Sequence, residues 1–397
     1  MNDSIFKEKA KHLSLPLDSR QRMEDSQEVF ISTTPEEKLI HPREIKDLRR
    51  KLLSWYRHNC RDLPWRRISD SYPIWISEIM LQQTQVQTVI PYFIRFMNSY
   101  PTIIDLANAN TQSLLNHWAG LGYYSRAKNL KKAAKIIIKI HEGCLPNTYQ
   151  DLIQLPGIGH YTASAILSIA FKKPYIALDG NLIRVLSRLF KLKGDITKTL
   201  FQRSLSRYGQ QLIDELQPGE FNQALMDLGS SICLPRKPRC LVCPWESRCR
   251  SKRAGMQEKI PEKKKNLKVS VSNEFAVVII HRGRTLIRKR SHSRLLQDMW
   301  EFPTGQIDQE ESEDFLEKRI WSEFGLKISS PNLLTNLKHS ITNRAINLQI
   351  YRANLKSPKV FDRSRITGKW IFISQIKKYP LTAATSKIVD LLRESSC

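Results

Sequence analysis

Two short segments between positions 155 and 181 combine residue types that could hold a phosphate and act as an acid. Residues 155–163 read LPGIGHYTA, and residues 178–181 read LDGN. Gly157 and Gly159 allow a tight turn whose amides no side chain covers, and the next helix, opened by Thr162 and Ala163, would attract phosphate at its N-terminus. A Gly-x-Gly turn alone is most often only a turn. Together with the lone carboxylate of Asp179, it indicates a phosphate cradle beside a reactive acid.

The charge of the chain indicates the same kind of partner. A formal net charge of +26 over 397 residues favours an acidic polymer, and nucleic acid is the obvious candidate. With 41% hydrophobic residues the chain can bury a core, and its length suggests two domains or more. No apolar run reaches the length of a membrane span, and the first residues lack the pattern of a secretory signal or transit peptide. We therefore expect a monomer with no membrane partner, located in the cytoplasm at the nucleoid, or in the nucleus of a eukaryote.

Four of the seven cysteines lie close enough in sequence to share a metal. Six, two and five residues separate Cys233, Cys240, Cys243 and Cys249. In a reducing compartment such a group favours a metal centre over disulfides. Spacing alone leaves zinc and an iron–sulfur cluster equally open, because only one Cys-x2-Cys pair is present. Seven cations surround these cysteines and are expected to contact phosphates, with a solvated basic surface as the alternative: Arg236, Lys237, Arg239, Arg248, Arg250, Lys252 and Arg253.

Residue patterns divide the chain into four parts. Residues 1–43 are polar with little apolar periodicity, which is typical of a disordered tail. Residues 44–250 repeat apolar residues at helical spacing, which predicts an all-helical domain. Residues 251–269 are basic and poor in apolar residues, as in a linker. Residues 270–397 are predicted to form an α+β domain, with strands at 275–280, 285–290, 348–351 and 370–373 and a helix at 313–324.

Longer motifs carry a family resemblance. They read LPWR at 63–66, WISEIMLQQTQ at 75–85 and GLGYYSR at 120–126, and they accompany the segments at 155–181 and the cysteine spacing. With them, residues from about 47 to 249 resemble the helix-hairpin-helix glycosylases, specifically the adenine DNA glycosylases of the MutY type. The motifs WEFP at 300–303 and EFGL at 323–326 resemble the Nudix-like C-terminal domain of the same family.

The resemblance implies a multidomain fold. An all-α helix-hairpin-helix glycosylase domain with an iron–sulfur cluster loop would be followed by an α+β Nudix-like domain that recognises the lesion. The helix-hairpin-helix is expected at about 149–171, and the loop at 233–249 would hold one [4Fe-4S] cluster through the four cysteines. A monovalent cation at the hairpin turn is a further expectation. The implied partner is double-stranded DNA containing adenine opposite 8-oxoguanine or guanine.

Removal of adenine calls for two carboxyl groups in unlike surroundings, because the leaving base must be protonated and the sugar cation stabilised. Glu78 has apolar neighbours in a helical stretch and is expected to keep a proton as the general acid. Asp179 is expected to remain ionised and to face the sugar cation, electrostatically or as a transient nucleophile. The resemblance places both at catalytic positions of the family, with Asn181 orienting a carboxylate or water. A buried ion pair and a helix cap are the plainer roles of the two acids.

Position 161 separates two enzyme classes. Bifunctional relatives similar to endonuclease III carry a lysine there, whose amine forms a Schiff base and cleaves the strand. Tyr161 offers no amine, so base removal by water without efficient strand cleavage is predicted. The alternatives are a bifunctional glycosylase with lyase activity and a non-catalytic, metal-containing DNA-binding protein.

A base inside a duplex must be extruded before it can react. Gln83 is expected to fill the gap, and Tyr123 to stack into the duplex, while one of Tyr123 and Tyr124 is expected in the core. The residues that the resemblance assigns to contacts with DNA or adenine are Trp65, Arg66, Leu81, Gln83, Thr84, Tyr123, Gly157, Gly159, Gln223, Thr342 and Asn343.

The C-terminal domain departs from two patterns of the family. A working Nudix site holds divalent metal with three acids, of which only Glu323 remains, so hydrolysis of nucleotides is not expected. The usual Phe-Ser-His reading loop corresponds to Ile341, Thr342 and Asn343. Thr342 can replace the serine hydroxyl, and Asn343 can still donate and accept hydrogen bonds.

Overall fold

The computed structural model describes residues 39–262, 270–290, 296–307, 314–329, 331–341, 344–356 and 368–394. Residues 1–38 of the predicted tail lie outside this set. Two compact units are present. Unit 1 comprises the chain up to Trp75, Asn147–Gln154 and Ile158–Lys264, and unit 2 comprises Ile76–Pro146, Leu155–Gly157 and the chain from Lys265 onward.

Helices dominate residues 39–253, as the apolar spacing predicts. In chain order the described α-helices are α1 (Pro42–Asn59), α2 (Ser71–Leu81), α3 (Val86–Ser99), α4 (Ile103–Asn108), α5 (Thr111–Trp118), α6 (Ser125–Ile140), α7 (Tyr149–Ile153), α8 (His160–Ile169), α9 (Gly180–Phe190), α10 (Thr199–Leu212), α11 (Pro218–Ser231), α12 (Arg250–Arg253), α13 (Phe315–Phe324) and α14 (Ala383–Glu394).

The first helix illustrates why these segments fold locally. The His41 ring accepts a hydrogen bond from the Arg43 amide, and Pro42 occupies the first turn, where a missing N–H leaves no bond unmade. Leu48 and Leu52 are fully buried on one face of α1. They join the core of unit 1, which draws mainly on α1, α9, α10 and α11 and includes Leu182, Leu186, Leu205, Phe221, Leu225 and Trp245.

Residues 251–262 pack on unit 1, although their composition is that of a linker. Ser251 and Ile260 are buried. The Ile260 carbonyl accepts a hydrogen bond of 2.8 Å from Nε of Arg188. The buried Ile260 side chain and the hydrogen bond from Arg188, which is 72 residues away, are contacts that composition does not reveal. The rest of the predicted linker, residues 263–269, lies outside the described residues.

The C-terminal part of unit 2 is built on a mixed sheet. Its strands are β1 (Ser270–His281), β2 (Arg284–Lys289), β3 (Trp300–Glu301), β4 (Thr304–Gln306), β5 (Asn332–Ile341), β6 (Arg344–Asn354) and β7 (Gly368–Phe372). The order is β3-β2-β1-β6-β5, with β4 also paired to β1 and β7 to β2. β1 runs parallel to β6, from Ser270 opposite Arg344 to Ile280 opposite Asn354, and the other pairs are antiparallel.

Alternation along β1 supplies both faces of this sheet with apolar side chains. Ala276 and Val278 belong to a buried cluster that includes α14, whereas Phe275 and Val277 belong to a second cluster that includes α13. A helical part followed by an α+β part is therefore confirmed. Among the described residues, no helix is both long and apolar enough to cross a membrane.

Candidate active site

The carboxyl group of Glu78 is carried by a helix that is apolar on almost every side. Glu78 is 4% exposed, and Trp75, Ile76, Ile79 and Met80 around it on α2 are also buried. An acid that must hold its proton until it reacts needs such shelter from water. Glu78 lies in unit 2, and Asp179 lies in unit 1.

The carboxylate of Asp179 caps the N-terminus of α9. Oδ1 accepts a hydrogen bond of 2.7 Å from the Leu182 amide, and Oδ2 accepts one of 2.8 Å from Nδ2 of Asn181. Burial raises the pKa of Asp179, while these hydrogen bonds and the charge of Arg184 oppose the rise. The group is thus withdrawn from water but surrounded by donors that favour its charged form.

Asn181 is itself held by neighbouring elements. Nη2 of Arg184 donates to Oδ1 of Asn181 over 2.8 Å and to the Gly229 carbonyl over 2.7 Å. A Cβ added at Gly229 would lie 2.7 Å from Cβ of Asn181. The backbone of α11 therefore lies directly against Asn181, and only glycine leaves room for this approach.

A phenol stands at the position that separates the two enzyme classes. Tyr161 is half-buried, and its hydroxyl lies 4.0 Å from the sulfur of Met226. Tyr161 is in the first turn of α8, which begins at His160, two residues before the predicted start. A phenol cannot form a Schiff base with an opened sugar.

Arg66, one of the residues that the resemblance assigns to contacts with DNA or adenine, pairs in unit 1 with an acid that sequence reasoning missed. Asp227 receives a bidentate pair from Arg66, at 2.7 and 2.9 Å, and a third hydrogen bond of 2.7 Å from Arg61. Burial raises the pKa of Asp227, but the two arginines outweigh it and hold the pKa below its usual value. The Tyr56 hydroxyl donates to Gln223 over 2.7 Å, and its ring lies beneath Arg66. Trp65, next to Arg66, is buried.

One feature of the sequence could have pointed to Asp227. It follows Gln223 by four positions, so both residues lie on one face of α11. That spacing alone does not distinguish a paired acid from a solvated one.

Two turns of unit 2 expose the residues expected to enter the duplex. Gln83 is exposed, with a left-handed φ of 57° directly after α2. Tyr123 is 45% exposed with a φ of 48°, whereas the neighbouring Tyr124 is buried. Leu81 and Thr84 flank the first turn and are half-buried.

The two hairpin glycines have different roles. Gly157 has a φ of 87°, and an added Cβ would lie 3.0 Å from Cβ of Asn129. Gly159 caps α8 with a φ of −103°, which any residue can adopt. Nothing lies within 4 Å of a Cβ added at Gly159, so a side chain there would meet open space. The monovalent cation at this turn stays a prediction.

The four clustered cysteines are all half-buried. Burial, together with the charge of the other three cysteines, raises the pKa of Cys243 to about 12. Nη1 of Arg188 donates to the sulfur of Cys233 over 3.4 Å. In the described part of the chain, no three His, Cys, Asp or Glu side chains are grouped as ligands of one metal ion. Four thiols suit either zinc or an iron–sulfur cluster, so the choice of a cluster rests on the family resemblance.

Basic residues around the cysteines fall into two groups. Three are paired with acids: Arg248 with Asp47, Arg250 with Glu44, and Lys252 with Glu246. The other four, Arg236, Lys237, Arg239 and Arg253, are exposed, and Arg248 is exposed as well despite its ion pair. The exposed group is the part of this surface available to phosphates.

In the C-terminal domain, the two acids of the family motifs that are described, Glu301 and Glu323, both pair with arginines. Glu301 is buried and pairs with Arg288 and Arg290. Glu323 on α13 pairs with Arg319 at 2.8 Å and lies 3.8 Å from Arg288. Thr342 and Asn343 join β5 to β6 and lie outside the described residues.

Two family models match the chain. The model of the HhH-GPD superfamily base excision DNA repair protein matches residues 76–211, and the NUDIX domain model matches residues 275–391. The chain therefore combines a helix-hairpin-helix base excision repair domain with a Nudix domain, as the sequence motifs predict.

Curated relatives indicate which family of base excision repair proteins the chain belongs to. The adenine DNA glycosylase of Buchnera aphidicola subsp. Baizongia pistaciae is 33% identical over 345 residues, covering 86% of this chain and 96% of that protein. The one from Buchnera aphidicola subsp. Acyrthosiphon pisum is 38% identical over 272 residues, covering 68% and 77%. The human adenine DNA glycosylase is 45% identical over 226 residues, covering 55% and 41%. The chain belongs to the adenine DNA glycosylase family. It spans half the length or less of the human, mouse, rat and Arabidopsis relatives.

Proposed function

We propose that the chain hydrolyses the N-glycosidic bond of adenine paired with 8-oxoguanine or guanine in duplex DNA. The observation that carries this proposal is the unlike setting of two carboxyl groups. Glu78 is buried on α2 in a stretch whose neighbouring apolar residues are buried too, whereas Asp179 accepts hydrogen bonds at a helix N-terminus. Such a difference suits one acid that donates a proton and one that stays charged. Membership of the family supports adenine as the base.

The reaction begins when the adenine leaves the base stack and enters the site. Glu78 donates its proton to a ring nitrogen, so the bond between the base and C1′ breaks with neutral adenine as the leaving group. Asp179 stabilises the positive sugar, electrostatically or by transient attack on C1′. Water then adds to C1′ and gives up a proton to the Glu78 carboxylate, which restores the enzyme and leaves an abasic site.

Strand cleavage is not part of the proposed reaction. Tyr161 provides a phenol where a lyase needs an amine, so the abasic product is released intact. Asn181 keeps its hydrogen bond to Asp179 and orients that carboxylate toward the sugar.

Contacts with DNA are proposed to come from three surfaces. Gln83 and Tyr123 are exposed on strained turns and would enter the duplex beside the flipped base. The N-terminus of α8, which begins after Gly159, and the exposed cations around the cysteine loop would bind phosphates. Thr342 and Asn343 would read the base opposite adenine. The enzyme is proposed to act as a monomer, in the cytoplasm at the nucleoid or in a nucleus.

A [4Fe-4S] cluster is proposed to be held by Cys233, Cys240, Cys243 and Cys249. Its iron would supply the positive charge that four half-buried thiolates require, and it would hold in place the loop around which the exposed cations lie. Base removal itself does not pass through it. Visible absorbance, with iron and sulfide analysis of protein purified without oxygen, tests this; a colourless protein containing zinc would contradict it.

Single-turnover excision assays test the catalytic proposal. The wild type, Glu78→Gln and Asp179→Asn are each assayed on duplexes with adenine opposite 8-oxoguanine, guanine or cytosine. The matched control is Asp151→Asn, which changes an exposed acid in the first turn of α7. We expect the first two variants to bind DNA without releasing adenine, and the control to keep the wild-type rate. Strand breaks should appear only after treatment with alkali. Unchanged rates in Glu78→Gln or Asp179→Asn would remove the mechanism, and strand breaks without alkali would indicate a lyase.

A further inference from the structure

Arg126 is buried in unit 2, at 7% exposure, and has six hydrogen-bond acceptors around its guanidinium group. Burial lowers its pKa to about 10, so it remains charged at neutral pH. Nη1 donates to the carbonyls of Ile79 at 2.9 Å, Met80 at 2.8 Å and Gln82. Nη2 donates to Oγ1 of Thr84 at 3.1 Å and to the carbonyls of Leu121 and Gly122, both at 3.2 Å.

These acceptors belong to two turns that are far apart in the sequence. The first is the end of α2 and the turn after it, where the last helical carbonyls have no partner within the helix and Arg126 supplies one. The second is the loop from Gly120 to Tyr123, in which Gly120, Gly122 and Tyr123 have φ values of 104°, 70° and 48°. A left-handed conformation at Gln83 or Tyr123 persists only where the surroundings enforce it. The guanidinium group of Arg126 therefore stabilises both strained turns through hydrogen bonds.

Each turn carries one exposed side chain that the proposed function directs into the duplex. Gln83 lies between two acceptors of Arg126, at Gln82 and Thr84, and the Arg126 guanidinium lies 5.5 Å from the centre of the Tyr123 ring. We infer that Arg126 is a positioning residue that sets the spacing between Gln83 and Tyr123, so that both enter the duplex together. This inference rests on the proposed function.

Hydrogen exchange of the free protein tests the structural half of the inference without any activity. Lysine keeps the charge of Arg126, but its single ammonium cannot span two turns. We expect Arg126→Lys to speed amide exchange in both turns, residues 82–86 and 120–124. The matched control is Arg95→Lys, an exposed arginine that also lies over a tyrosine ring, 4.5 Å from the centre of Tyr92. Faster exchange in only one turn, or in neither, would contradict the inference.

A double-mutant cycle on adenine release tests the functional half. Misplacing a positioned group by about 1 Å can lower a rate about 100-fold, so a loss of that order is expected for Arg126→Lys. In the background of Gln83→Ala and Tyr123→Ala, the same change should lower the rate less than about two-fold, because the turns no longer present anything to position. An equal loss in both backgrounds would mean that Arg126 only supports the fold.

Failure of the inference about Arg126 can be distinguished from misfolding of the variant and from failure of the proposed function. If Arg126→Lys does not fold, Thr84→Val removes one acceptor and leaves the arginine in place, and it should still speed exchange in the turn at 82–86. If the wild type releases no adenine, the proposed function fails, and the exchange experiment alone decides the role of Arg126.

Discussion

A steric change at Gly229 perturbs the hydrogen bonding of Asp179 without removing any charged group. In Gly229→Ala the new Cβ would lie 2.7 Å from Cβ and 3.3 Å from Cα of Asn181. Because the shorter distance is less than carbon atoms tolerate, Asn181 must move. Its Nδ2 donates to Oδ2 of Asp179 over 2.8 Å, so the movement weakens this hydrogen bond.

The expected size of the effect follows from that one interaction. A hydrogen bond to a charged group contributes about 1.5–3 kcal/mol. Since about 1.4 kcal/mol in a barrier changes a rate ten-fold, adenine release by Gly229→Ala should fall about 10- to 100-fold. Crowding also lowers the free energy of unfolding by about 1–3 kcal/mol, so the variant needs a control with the same crowding.

Gly219→Ala is that control. Gly219 lies on the same helix, α11, and its added Cβ would lie 2.8 Å from the Ser168 carbonyl oxygen and 2.9 Å from Cα of Ile169. It therefore crowds α8 and not Asn181. Urea unfolding should show similar losses of stability in the two variants, while single-turnover excision falls only in Gly229→Ala. Equal loss of rate in both variants, or a wild-type rate in Gly229→Ala, would refute the reasoning.

Three further predictions concern charge. Asp179→Asn should be at least as stable as the wild type at pH 7, because burial raises the pKa of Asp179 and its ionised form costs stability above that pKa. In urea unfolding, this advantage of the variant should fade as the pH falls toward the ordinary pKa of 3.8. A variant that is less stable than the wild type at pH 7 would contradict the prediction. Asp227→Asn should lose about 3–5 kcal/mol by urea unfolding, since it leaves two arginines without their carboxylate. The pKa of Asp227 is lowered, so in the wild type its contribution should be present above its unfolded pKa and disappear as pH falls through the folded one; a pH-independent difference would argue against this. Affinity for duplex DNA should fall steeply as the salt concentration rises. Arg236→Gln should reduce the slope of log affinity against log salt by about 0.9 for each phosphate that the arginine neutralised, whereas Arg250→Gln should not, because Arg250 is paired with Glu44. Equal slopes in both variants would exclude the exposed cations as phosphate ligands.

The sequence by itself determined the features that depend on neighbouring residues. Apolar residues at helical spacing predicted the helices that include α1 and α9, and a continuous strand-like run of apolar residues at 275–280 predicted β1, within the observed Ser270–His281. The family's motifs identified both domains. β5 was not predicted, because it is an edge strand in which Leu333 and Leu334 are both exposed, so it shows no apolar alternation.

Only the tertiary structure decided which polar groups meet. Asp227 and Arg66 are 161 residues apart, Arg126 and the Ile79 carbonyl are 47 residues apart, and no spacing rule connects either pair. The close approach of Gly229 to Asn181 is equally invisible in the chain. Helical periods and N-terminal caps are set within a few residues, whereas the partner of a buried charge depends on which distant elements packing places beside it.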